Sequence, residues 1–205
     1  MCRYIQILIV SSIIIMVSCQ DEENLIISNE KNLIINEINY NSSEVFDTKD
    51  WIEIYNKSDT IMYLRGYYFT DENPDHIYLF PENSFIGAND YIILAQDTTV
   101  FSTLFPNVVN LYGPFSFGLS GKGEEINLYD KFDNLIDRVE YKDSYPWPTE
   151  PDGNGPTLEL INPDFANEIA NAWGFSIENG TPGIINSVYS DSLLYIIRKL
   201  SKNSY

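Results

Sequence analysis

Between Asp50 and Asp71 the chain reads DWIEIYNKSDTIMYLRGYYFTD, and Ile52 and Ile54 alternate with Trp51, Glu53 and Tyr55. A period of two over β-branched and aromatic residues predicts a half-buried strand. Asn56, Lys57, Ser58 and Asp59 break the pattern with residues that bond their own backbone in turns, so Ile61 to Leu64 is expected to return as a second strand. Gly66 precedes an aromatic run, Tyr67 to Phe69, that stops at the polar residues Asp71 to Asp75. Upstream, Leu33 to Asn39 (LIINEIN) predicts a first strand with Ile34 and Ile38 on one face. Downstream, His76 to Phe80 predicts a short strand closed by Pro81, Phe85 to Asp90 has turn chemistry, and Tyr91 to Ala95 is a continuous apolar run suited to a buried strand.

The period changes to that of a helix in one short segment. Asp97 or Thr98 can cap Thr99 to Phe105, whose Val100, Phe101, Leu104 and Phe105 share a helical face, and Pro106 ends it. Val108 to Tyr112 is a further candidate strand. Glycines 118, 121 and 123 then form a flexible turn that feeds Glu124 to Asp130, where Ile126 and Leu128 alternate. Asp133 and Asn134 make the next turn, and Leu135 to Lys142 returns to complete a hairpin. Many short strands separated by turns, with one helix, predict an all-β antiparallel sandwich.

Length and charge narrow the picture further. With 205 residues there is room for one ordinary domain with a real core, and 44% hydrophobic with 14% aromatic residues is more than a disordered chain carries. The net charge of -18 therefore belongs to a folded surface, and it opposes contact with a phosphate backbone, so nucleic acid is not expected as a partner. The ends are expected to do something else. Residues 1–18 read as a signal peptide: Arg3 gives the positive start and Ile5 to Val17 an apolar run too short to span a bilayer comfortably. Ser18-Cys19 resembles the cleavage site of a bacterial lipoprotein signal, which implies that Cys19 becomes an acylated N-terminus and anchors the protein to a membrane. Of the two cysteines, Cys2 would leave with the signal and Cys19 would be lipidated, so the mature domain is expected to hold no disulfide. Residues 19–32 form an acidic tether, and Gln20 to Glu23 resemble the signal that sends some lipoproteins to the outer leaflet of the outer membrane and the cell surface. Residues 187–205, with Leu193, Leu194, Ile196, Ile197 and Leu200 beside Arg198, Lys199 and Lys202, fit an amphipathic tail.

The blocks INEI (Ile35 to Ile38), DWIEIYNKS, LRGYYFTD, YLFPENSFIGANDYIILA and LSGKGEEINLYDKFDNLIDRVEY resemble, in the same order, the lamin tail domain. The later stretches WPTEPDGNGPTLELINPDF and AWGFSIENGTPGIIN resemble the ending of its bacterial members, so the resemblance spans residues 33–186. It implies an immunoglobulin-like β-sandwich, of a kind often found beside hydrolases in bacterial proteins.

Candidate chemistry is sparse. Nucleophilic hydrolysis needs a base, and the one histidine, His76, sits in a short strand without a Gly-x-Ser-x-Gly elbow, as an ordinary surface or edge residue. Zinc lacks ligands for the same reason. Glu37 and Glu53 fall on neighbouring strands, where a pair for acid and base chemistry is conceivable; the favoured reading is surface carboxylates paired with Lys or Arg. Asp71, Asn73, Asp75 and Glu82 match positions 1, 3, 5 and 12 of a calcium loop, although His76 stands where that loop needs glycine. Asp130 and Asp133 in the hairpin turn are a second candidate for calcium. The glycines at 118, 121 and 123 precede a strand instead of a helix, which argues against a phosphate cradle. Trp51, Trp147 and Trp173 read as core or lid residues, while Tyr145 and Trp147 on a Pro-rich loop are candidates for an exposed sugar-stacking platform. Together these observations suggest a lipid-anchored envelope binding or adhesion module without catalysis and without a cofactor other than calcium, directed at a protein or glycan. The alternatives are an accessory component of a secreted hydrolase or nutrient-uptake system and a calcium-binding structural module.

Overall fold

The computed structural model describes residues 31–191. The expected signal segment, Cys19, most of the expected tether and residues 192–205 lie outside them. Along the chain come β1 (Leu33–Asn39), β2 (Trp51–Asn56), β3 (Met62–Tyr63), β4 (Tyr68–Thr70), β5 (Ile77–Leu79), β6 (Phe85–Ile86) and β7 (Asp90–Ala95). These are followed by α1 (Thr98–Leu104), β8 (Leu111–Tyr112), β9 (Gly123–Tyr129), β10 (Leu135–Lys142), β11 (Leu158–Leu160) and β12 (Trp173–Phe175). A six-stranded sheet in the order β12-β11-β1-β2-β7-β8 lies against a four-stranded sheet in the order β10-β9-β4-β5, and β3 pairs with β6 as a separate ribbon. This is an immunoglobulin-like β-sandwich.

The core lies between the two sheets. Ile38, Ile52, Ile54 and Leu94 from the first sheet meet Phe69, Ile126, Leu128 and Val139 from the second in one buried cluster. β1 is buried at all seven positions, because it sits mid-sheet with its second face covered as well. Its register corrects the expected alternation: a bulge between Ile35 and Glu37 adds a residue, so Ile35 pairs with Ile54 and Ile38 with Ile52, while Glu37 faces the other way, opposite Glu53. The inserted residue, not Ile34, therefore decides which aliphatics share the core face.

Helix α1 forms where expected. The Asp97 carboxylate accepts the N–H groups of Thr99 and Val100, satisfying donors that the first turn leaves open. Phe101 of α1 packs with Trp51, Ile93 and Ala95 in a second buried cluster on the outer face of β2 and β7. Trp51 meets Phe101 edge-on at 5.5 Å between ring centroids and anchors its indole N–H on Thr48 Oγ1 at 3.1 Å. Three details differ from the sequence reading. β6 forms where only turn chemistry was expected, β8 is shorter than Val108 to Tyr112, and β8 runs parallel to β7 in a sheet that is otherwise antiparallel.

Candidate functional site: a carboxylate row and a tyrosine cleft beneath the C-terminal strap

After β12 the chain crosses back over the outer face of the six-stranded sheet as an irregular strap, from Ser176 to Ser190. It has no strand pairing, so its polar groups need other partners. Those partners are three glutamates in one row. Glu37 of β1 lies between Glu53 of β2 and Glu159 of β11, and the row continues to Ile93 and Leu111 on one side and Gly174 on the other.

Each glutamate holds part of the strap. Glu37 Oε1 accepts the backbone N–H of Thr181 at 3.0 Å and the hydroxyl of Thr157 at 2.5 Å. Glu53 accepts the N–H of Gly183 at 2.6 Å on one oxygen and the amide of Asn36 at 2.7 Å on the other. Glu159 accepts from the Thr181 hydroxyl at 2.5 Å, the Ser187 hydroxyl at 2.7 Å and the Val188 N–H at 3.1 Å. Asn186 adds a fourth fastening, donating to the carbonyls of Asn36 at 3.0 Å and Leu160 at 2.8 Å.

The structure thus corrects the expectation that Glu37 and Glu53 are surface carboxylates paired with Lys or Arg. Both are 0% exposed and are partnered by backbone N–H groups of the strap and by the neutral side chains of Thr157 and Asn36. Burial, then the charges of Glu53 and Glu159, hold the Glu37 carboxyl well above the ordinary carboxylate range. Burial also pushes Glu53 up to about 8 against the pull of its two donors. Among the described residues, Glu37 Oε2 is buried with no hydrogen-bond partner, which makes it the natural seat of the retained proton. Gly180 is pressed onto this atom cluster at φ +101°, where a Cβ would lie 2.6 Å from Glu37 Oε1.

Where the strap ends, it walls a cleft of about 310 Å³ over the open end of β2 and β7, lined by Asn36, Tyr55, Lys57, Tyr91, Leu160, Asn162, Pro163, Asp164, Ile185, Asn186 and Tyr189. Tyr55 and Tyr91, directly paired across the two strands, stack with centroids 4.7 Å apart. Lys57 and Asp164 form an ion pair of 2.8 Å at the rim. Burial and the nearby carboxylates of Glu53 and Asp90 raise the Tyr91 phenol. Burial, then Asp164, raises that of Tyr55. Both therefore remain neutral hydroxyls, able to donate and accept.

The other candidates are dispersed. In the Asp71–Asp75 turn, Asp71 accepts the Asn73 N–H at 2.7 Å and meets His76 Nδ1 at 2.6 Å, and Asn73 accepts the Asp75 N–H at 3.0 Å. Glu82 lies beyond β5 and pairs with Arg65 at 3.0 Å, so the calcium spacing is not gathered into a loop. Among the described residues, no group of three or more His, Cys, Asp or Glu side chains is placed to hold a metal. Asp130 closes its own hairpin turn by accepting the N–H groups of Phe132 and Asn134, and Asp133 accepts from the Tyr68 hydroxyl. His76 stacks on Phe117 with centroids 4.8 Å apart. Tyr145 is 73% exposed, but Trp147 is buried with its ring 6.0 Å from that of Trp173, so the two do not make one stacking platform. No helix of the described residues is long and apolar enough to cross a membrane.

The fold is that of an immunoglobulin-like module whose outer sheet face is closed by its own C-terminal segment. Residues 27–143, more than half of the chain, match the family model of the Lamin Tail Domain, and the chain belongs to that family. The match ends after β10, so β11, β12, Glu159 and the strap lie beyond it. No curated protein matches the chain. Among solved structures, it is similar to a DUF4876 family protein from Bacteroides thetaiotaomicron VPI-5482, at 13% identity and a TM-score of 0.44 over 78% of this chain and 72% of that one.

Proposed function

We propose that the chain is a non-catalytic binding module, hung from the bacterial cell envelope through an acylated Cys19, that presents its sandwich to a protein or glycan ligand. The observation that carries this reading is the cleft under the strap, where stacked tyrosines and amide side chains meet in a half-open, 310 Å³ hollow. Concave sites of mixed apolar and polar lining are where small ligands and chain ends are held. Anchoring is supported by Arg3, the apolar run Ile5 to Val17 and the Ser18-Cys19 junction, and the acidic residues Asp21 to Glu23 favour the outer membrane or cell surface. The non-catalytic reading is supported by the chain's one histidine, which is held between Asp71 and Asn73, away from the cleft.

The test has two arms. Cells fed a tagged palmitate are expected to label the wild-type chain and not a Cys19→Ala variant. The full chain reconstituted in vesicles is expected to retain envelope fragments through the cleft, and Tyr55→Ala to lose that retention. Turnover of an ester, phosphoester or glycoside by the purified chain, or retention unchanged in Tyr55→Ala, would overturn the proposal.

A further inference from the structure

The cleft offers two kinds of surface to an occupant. One wall is apolar: the stacked rings of Tyr55 and Tyr91, continued by Leu160 and Ile185. The rest is hydroxyl and amide. Among the described residues, the hydroxyls of Tyr55, Tyr91 and Tyr189 make no hydrogen bond to protein, although all three residues line the hollow. At its floor Asn36, 2% exposed, donates its amide hydrogens to Glu53 at 2.7 Å and Asn186 at 2.8 Å. That leaves Asn36 Oδ1 as an acceptor with no protein partner among the described residues. An acceptor so placed is open to the hollow, where an occupant can bond it in place of water.

The charge around the cleft excludes one class of occupant. Glu53 and Asp90 stand near Tyr91, Asp164 stands near Tyr55, and the one lysine in the lining is already paired with Asp164. An anion such as a phosphate or uronate would enter a negative field on a chain of net charge -18. The topology excludes another. β2 is hydrogen-bonded on both sides, to β1 and β7, and the far edge of β7 is held by β8 at Ile93 and Leu94 and by Asn110, whose amide donates to the Tyr91 carbonyl at 3.1 Å, so among the described residues neither strand offers an open edge to the cleft for an extended peptide to pair with. What remains is a neutral molecule with an apolar face to lie on a tyrosine ring and a rim of groups that donate and accept at once, which describes a pyranose.

We propose, building on the binding-module reading above, that this cleft is a subsite for an uncharged saccharide, a single ring or chain end stacked on the Tyr55–Tyr91 wall with its hydroxyls bonded to Asn36 Oδ1 and the Tyr189 hydroxyl. The volume of 310 Å³ stands at the small end of ligand pockets, which matches a terminal sugar better than the middle of a long chain.

The test titrates the full chain, held in a sugar-free zwitterionic detergent, with methyl glycosides of glucose, galactose, mannose and N-acetylglucosamine, and with glucuronate as the charged counterpart. The readout is the tyrosine ring signals in NMR. Saturable shifts at Tyr55, Tyr91 and Tyr189 with at least one neutral glycoside, and none at the exposed Tyr145, are expected. Tyr55→Ala is expected to weaken binding about tenfold, the factor for loss of one stacked ring. Tyr189→Phe, which removes only an unbonded hydroxyl and leaves the melting temperature in place, is expected to weaken it less. Absence of saturable shifts with every neutral glycoside, a preference for glucuronate, or unchanged affinity in both variants would overturn the saccharide assignment. Envelope fragments still retained through Tyr55 in that case would leave the binding module standing and its sugar ligand refuted; loss of both would refute both.

Discussion

Glu37 and Glu53, two of the three buried glutamates, make the domain's stability fall as pH rises, in a window set by the carboxylates themselves. Glu53 titrates at about 8 in the folded protein against an ordinary value of 4.5, and Glu37 is raised in the same direction by burial and by its two neighbours. Between those limits the folded chain holds protons that the unfolded chain has released. The stabilisation is therefore complete below the ordinary glutamate range and is lost as pH rises through the folded value. Each proton so retained costs about 1.4 kcal/mol per pH unit, or about 2.7 kcal/mol from pH 6 to pH 8. For a domain of this size that corresponds to a fall of roughly 5–10 °C in melting temperature. General repulsion among the surface acids acts in the same direction, so the row must be isolated by substitution. Glu37→Gln keeps an acceptor for Thr157 and Thr181 and places a neutral amide where Oε2 has no partner. Thermal melts by circular dichroism at pH 5, 6, 7, 8 and 9 are the assay. Glu37→Gln is expected to match wild type at pH 5 and to exceed it at pH 8, with a slope shallower by about 1.4 kcal/mol per unit. A wild-type melting temperature that is flat from pH 6 to 8, or a variant with the wild-type slope, would refute the reasoning.

Three further outcomes follow from packing and turn geometry. Gly180→Ala forces a Cβ against Glu37 Oε1 at a positive φ, and chemical denaturation is expected to show a loss of about 1–3 kcal/mol. Phe101→Ala empties the cluster between α1 and the outer face of β2 and β7, with an expected loss of about 3–5 kcal/mol in the same assay, because Trp51 and Phe105 both pack on that ring. Calcium added to the chelator-treated protein is expected to leave its melting temperature unchanged, since the side-chain oxygens of Asp71 and Asn73 are spent on their own turn and on His76, and Glu82 on Arg65; a rise that Asp71→Asn abolishes would contradict this.

Much of the sandwich was legible in the sequence wherever alternation was strict. β1 occupies the expected Leu33 to Asn39, and Asp97 caps the helix as its side chain and position suggest. What alternation could not supply was the bulge at Asn36, since an inserted residue leaves composition untouched while reversing the faces of everything beyond it. Glu37 and Glu53 were misread, and Glu159 was not singled out, for a related reason. In IEI (residues 52–54) and LEL (residues 158–160) a glutamate between two aliphatics points away from the core, which usually means toward water. Here the far face is covered by a strap 120 or more residues further along the chain from Glu53, and no local pattern announces that cover. The repeated aliphatic-Glu-aliphatic triplet was the available signal, and it gains meaning only when three strands are known to be neighbours. The cleft was invisible for the same reason: Asn36, Tyr55, Tyr91 and Tyr189 belong to separate segments that only the sheet order and the strap bring together.

The claim on which the rest stands is that the segment beyond the family match is fastened into the fold by the carboxylate row and so builds the cleft. Hydrogen exchange at the backbone amides of Thr181, Gly183 and Val188 tests it directly, because each donates to a different glutamate. Protection comparable to that of the β1–β2 amides, reduced at Gly183 alone in Glu53→Ala, is the result the account predicts. Exchange at the rate of an unstructured chain at all three positions would contradict it.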